Sequence, residues 1–113
     1  MSNPRAPREI GSVRIGGIAQ RTAHPKTGPL TGAPQMVELS RDGQRAYLTS
    51  SLYGSWDPQF YPDGLSGWMA KIDIKPGGGM ALDPNFFVDF GRKKPHQIRL
   101  EGGDASSDSY CYP

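Results

Sequence analysis

Cysteine is nearly absent from this 113-residue sequence: Cys111 stands alone, so no disulfide can form within the chain and a cysteine-rich metal site is excluded. Histidine is almost as scarce, with His24 and His96 only, so any metal must be held by these, by carboxylates or by another chain. Long apolar runs are missing too. No stretch approaches the roughly 18 consecutive apolar residues of a membrane-spanning helix, residues 1–10 lack the apolar core of a signal peptide, and the expected compartment is the cytoplasm. An excess of one charge is also lacking: thirteen basic residues face eleven acidic ones for a formal charge of +2, and Arg92-Lys93-Lys94 is the sole basic run. Neither nucleic acid nor a membrane surface is an expected partner.

Glycine and proline are abundant instead, fifteen and eleven residues, which breaks the chain too often for long helices. Aromatic residues, a tenth of the sequence, supply the buried mass that disordered chains lack. The length suits one domain, and the composition points to short strands joined by turns.

Residues 1–8 hold two prolines and no periodicity, and read as a tail or linker. Glu9–Ile18 alternates, with Ile10, Ser12, Arg14 and Gly16 on one face, and is expected to be a strand. Residues 20–34 read as a loop rich in proline and threonine, with His24 a solvated loop residue. Met36–Leu39 and Ala46–Thr49 are β-rich runs flanking Asp42-Gly43, which supplies the positive φ of a tight reversal, and so predict a hairpin. Its pattern, Ser40-x-Asp42-Gly43-x-Arg45-x-Tyr47-x-Thr49, recurs in propeller blades. Residues 51–66 carry Tyr53, Trp56, Phe60 and Tyr61, too aromatic for an ordinary solvent loop. Trp68–Ile74 is a third strand with one apolar face, ended by Pro76 and Gly77–Gly79. Phe86–Phe90 is a fourth short strand after a turn at Asp83-Pro84-Asn85, and His96–Leu100 alternates like the start of another. Four short antiparallel strands make one propeller-blade unit. The expected architecture is all-β: a complete four-stranded antiparallel blade over 35–90, with pieces of neighbouring blades around it.

Together, the segments GAPQMVELSRDGQRAYLTSSLYGSWDPQFYP, LDPNFFVDFG and PHQIRLEGGDASSD, spanning about Gly32 to Asp108, resemble the C-terminal region of the selenium-binding protein family, which includes methanethiol oxidases. The resemblance implies a seven-bladed β-propeller several times longer than this chain. Residues 1–113 would then be its C-terminal fragment, with 96–113 beginning the closing blade and the missing blades, or self-association, as partners. The cysteine behind the family's name has no counterpart here, so no selenium site is assigned.

The resemblance further implies a copper site built from several histidines, to which His96 contributes one. Imidazole suits copper, but one ligand cannot hold it, so tight copper binding by this chain alone is not expected. Arg99 is expected on the same strand face as His96, where it orients a carboxylate or an anionic substrate group; a surface ion pair is the alternative reading. Confident catalytic residues are not identified. Asp57 and Asp63 could line a pocket with the aromatics of 51–62, although an aromatic lid sealing two blades explains that segment as well. Asp104, Ser106, Ser107 and Asp108 offer oxygen ligands without the order of an EF-hand, and turn formation accounts for them. Cys111 has no sequence neighbour that would make it reactive.

Two functions remain open from the sequence. One is a piece of a copper-dependent oxidoreductase acting on methanethiol, inactive alone; the other is a non-catalytic β-sheet module left by truncation.

Overall fold

A computed structural model describes residues 3–19, 21–50 and 53–105. Four antiparallel strands form one sheet in sequence order: β1 Pro34–Leu39, β2 Arg45–Ser50, β3 Gly67–Ile74 and β4 Met80–Gly91. A single helical turn, α1 Asp57–Phe60, lies between β2 and β3, and a short 3-10 turn spans Glu101–Gly103. The expected all-β blade is therefore present, with its strands placed by period-two patterning and turn residues.

The β1–β2 reversal shows why the hairpin forms. Gly43 sits at φ 69°, where a Cβ would be strained, while Asp42 accepts from the Ser40 hydroxyl and from the Gln44 N–H at 2.9 Å. These bonds hold the Asp42 carboxyl below its ordinary range, the Ser40 hydroxyl first and the Gln44 amide next. Arg45 then ties the turn to the distant C-terminal segment, reaching Asp42 at 3.2 Å and Asp104 at 2.7 Å. Asp104 is thus an ion-pair partner of Arg45, while Ser106, Ser107, Asp108 and Cys111 lie outside the described residues.

Both faces of the sheet are covered by irregular chain. On one, Ala46, Leu48, Trp68, Ala70 and Ile72 form the core with Ile15 and Leu30 from the N-terminal segments. Trp68 anchors it: the indole donates to Thr31 O at 2.8 Å, and its backbone N–H donates to Ser50 Oγ at 2.9 Å. On the other face, Tyr47 packs edge-on against Phe86, and Ile98 and Ala105 are buried.

Four expectations are corrected. Among the described residues Glu9–Ile18 forms no strand, and its one ladder contact is an isolated bridge from Gly16 to Thr22. Its burial does alternate, but with Val13 and Ile15 inward and Ile10 exposed, because the segment packs its apolar side chains on the sheet without joining a ladder. The fourth strand is longer than Phe86–Phe90. Asp83-Pro84-Asn85 is no turn between elements but a bulge inside β4: Ala70 pairs with Phe87 and Ile72 with Leu82, so two β3 steps oppose five on β4. His96–Leu100 is not a strand, since it crosses the sheet and meets no ladder partner among the described residues.

The fourth correction is His24, which is completely buried. Its Nε2–H donates to the Asp83 carbonyl at 3.1 Å, its Nδ1 accepts from the Lys26 N–H at 3.1 Å, and its ring lies 4.9 Å from that of Phe87. Both nitrogens are engaged, so His24 is a structural residue that pins the bulge.

Candidate functional site

Two buried side-chain polar atoms lack a hydrogen-bond partner among the described residues: Nε2 of His96 and Oγ1 of Thr49. A buried polar atom without a partner carries an uncompensated desolvation cost, so each marks a place where something else completes the structure.

His96 is positioned by a close crossing of the chain. The segment after β4 passes directly over the start of β3, where a Cβ on Gly67 would run into the Lys93 carbonyl oxygen and come within 2.8 Å of Pro95 Cδ. Lys94 locks this crossing by donating to Leu65 O at 2.7 Å and pairing with Asp57 at 3.4 Å. Pro95 fixes the backbone before His96, whose ring then meets Tyr53 edge-on at 5.5 Å; Tyr53 in turn meets Trp56 edge-on at 5.9 Å. The ladder Trp56, Tyr53, His96 gives the aromatic segment a specific neighbour that sequence spacing did not reveal. The missed signal was the aromatic content itself, because a residue more than forty positions away cannot be matched by local pattern.

Asp57 and Asp63 each take part in an ion pair. Asp57 is buried and held by Lys94, and Asp63 pairs with Arg21 across 3.6 Å at the surface. Tyr53, Trp56 and Phe60 are each about half exposed, so the segment keeps an open aromatic face. Burial lifts the Tyr61 phenol above its ordinary value, opposed by a backbone bond at Ala33 and reinforced by the Asp57 charge.

A cleft of about 430 Å³ runs beside His96, walled by Met36, Val37 and Glu38 of β1 and by Gln97 and Ile98. Arg99 does not share it. Three positions separate His96 from Arg99, an odd spacing that would put them on opposite faces even in a strand. Arg99 lines a second cleft of about 160 Å³ with Thr49, Met69, Phe90 and Pro95. A larger cleft, about 700 Å³, lies elsewhere, between the N-terminal arm and the Gly77–Gly79 turn. Neither of the unpartnered atoms belongs to a residue of its walls.

The inward Nε2 of His96 is chemically suited to donate to a transition metal. The described residues supply that one donor and not a centre: no group of three or more His, Cys, Asp or Glu comes together among them. His24, the other imidazole, is consumed by its two hydrogen bonds. A copper ion therefore does not fit these residues alone.

The pattern of the 56 kDa selenium binding protein family matches residues 1–111. A methanethiol oxidase of Mus musculus is 41% identical over 133 aligned residues, covering 96% of this chain, and selenium-binding protein 2 of the same species is 40% identical. The chain spans 28% of the length of each of these relatives. The crystal structure of a hypothetical selenium-binding protein from Sulfolobus tokodaii superposes on the whole chain with a TM-score of 0.87 at 60% identity, with 25% of that protein covered.

Proposed function

We propose, because this chain belongs to the 56 kDa selenium-binding protein family, that it supplies the C-terminal blade of a β-propeller of the methanethiol oxidase type and contributes His96 as one donor to that ring's copper site. The observation that carries the reading is the inward, unpartnered Nε2 of His96 on an ordered crossing. Exposed apolar residues support the assembly: Met36, Val37 and Leu39 on edge strand β1 are 41%, 60% and 42% exposed, and unpaired edges with apolar side chains favour association. The remaining blades, and with them the remaining donors, lie outside residues 1–113.

This chain's part in the chemistry is to position. Tyr53 limits how the His96 ring can turn, and the Lys94 clamp and Pro95 fix the backbone that carries it. Copper, once held by the complete ligand set, would supply the redox chemistry that oxidation of a small thiol requires. With one donor, the isolated chain neither retains copper tightly nor turns over methanethiol. The proposed compartment is the cytoplasm.

The test is complementation. The chain is co-expressed with the remaining blades of a relative, and methanethiol consumption and copper content are measured. Activity that needs both pieces and is lost in His96→Ala, with the sheet intact by circular dichroism, supports the reading. Methanethiol oxidation by the isolated chain, or full activity and copper content in His96→Ala, refutes it. A structural module that associates with the other blades without any effect of His96 on copper is the second reading, favoured by the single-donor inventory.

A further inference from the structure

The second unpartnered atom has no place in the metal reading. Thr49 is completely buried on β2, in register with Met69 of β3, and its Oγ1 has no partner among the described residues. It contributes a wall of the cleft of about 160 Å³ that the segment 95–99 closes over the sheet. The other walls are Met69, Phe90, Pro95, Gln97 and Arg99, with Ile98 between the last two. Arg99 is the one formally charged residue among these lining residues.

We propose that this cleft binds a small oxyanion of carboxylate to sulfate size, held by the Arg99 guanidinium and a hydrogen bond from the Thr49 hydroxyl. The size follows from the volume: a water molecule occupies about 30 Å³ of liquid, so the space takes roughly five heavy atoms. The sign of the charge follows from Arg99, whose planar guanidinium carries five N–H donors and matches an oxyanion even while engaged with another partner. Specificity follows from Thr49, since a buried hydroxyl with no partner among the described residues is a costly feature unless a ligand uses it. Phe90, Pro95 and Ile98 supply the apolar part of the wall. Met69, unbranched and paired with Thr49, is the wall that yields to admit the ion. The site is separate from the His96 cleft and does not rest on the metal assignment.

The experiment uses the full chain, isotopically labelled, titrated with sodium formate, acetate and sulfate at constant ionic strength set by sodium chloride. Saturable shifts of the Thr49 and Arg99 side-chain resonances are expected with at least one of the oxyanions and not with chloride. Thr49→Val and Arg99→Gln each weaken that binding at least tenfold, whereas Lys75→Gln, at the far turn, leaves it unchanged. Should Arg99→Gln fail to fold, Arg99→Lys is the substitute, with weaker binding expected because the bidentate fork is lost. Linear, chloride-like drift for every anion would overturn the proposal, as would unchanged binding in Thr49→Val. A Thr49 hydroxyl that shows only a bound water, with no response to any of the three anions, would overturn it equally.

Discussion

The ring of His24 donates from Nε2 to the backbone carbonyl of Asp83 at 3.1 Å, across 59 positions of sequence. The same Asp83 turns its carboxylate to Lys71 at 2.8 Å and receives the Asn85 N–H on Oδ1, also at 2.8 Å. One residue of the β4 bulge therefore joins the N-terminal loop on one side and β3 on the other. A bulge that would otherwise weaken the outer strand is fixed from both directions.

Replacing His24 by alanine removes a buried ring and leaves the Asp83 carbonyl and the Lys26 N–H without partners. The expected loss is about 2–4 kcal/mol, combining a cavity with unmade hydrogen bonds. Urea unfolding checks it: the midpoint falls while the slope is retained.

Acid sensitivity follows from Asp83 itself. Its hydrogen bond with Lys71, then that from the Asn85 amide, depress its carboxyl below the ordinary 3.8. A carboxylate depressed in the folded state contributes stability that is fully present above its unfolded value and is lost as pH falls through its folded value. In Asp83→Asn the carbonyl that His24 uses is retained but this contribution is gone. The melting temperature of the variant should therefore fall less steeply than that of the parent as pH drops below about 4, as thermal melts at stepped pH would show.

Thr49→Val should stabilise the chain in anion-free buffer. The substitution keeps the shape and deletes a buried hydroxyl that has no partner among the described residues, with an expected gain of about 1 kcal/mol. A loss of stability on denaturant unfolding would mean that the hydroxyl is satisfied in solution.

Gly67→Ala tests the crossing that carries His96. The new methyl collides with the Lys93 carbonyl and Pro95, so the 93–96 segment must lift. The expected cost is about 1–3 kcal/mol, with β2 and β3 still paired. Loss of the Tyr53–His96 ring contact, read from histidine chemical shifts, should accompany it.

The sequence by itself determined the sheet. Tyr47 and Thr49 alternate with Ala46 and Leu48, Trp68–Ile74 alternates likewise, and Asp42-Gly43 carries its own turn, because strand period and turn chemistry are local properties. The family resemblance over about Gly32 to Asp108 was legible for a related reason, since the motifs that carry it are contiguous, and the family pattern extends it to residues 1–111. Only the tertiary structure decided the rest. Pro84 looked like the end of an element, yet the strand runs through it, because a bulge is defined by the partner strand it opposes. Residues 9–18 alternate without forming a strand, and 96–100 crosses the sheet rather than extending it, since a ladder needs a neighbour that sequence periodicity does not supply. His24 read as solvated because its surroundings in sequence are polar, whereas its surroundings in space are Phe87 and the Asp83 carbonyl. Thr49 is an unremarkable strand residue in the sequence, and its unpartnered hydroxyl exists only because a segment almost fifty residues away closes over it.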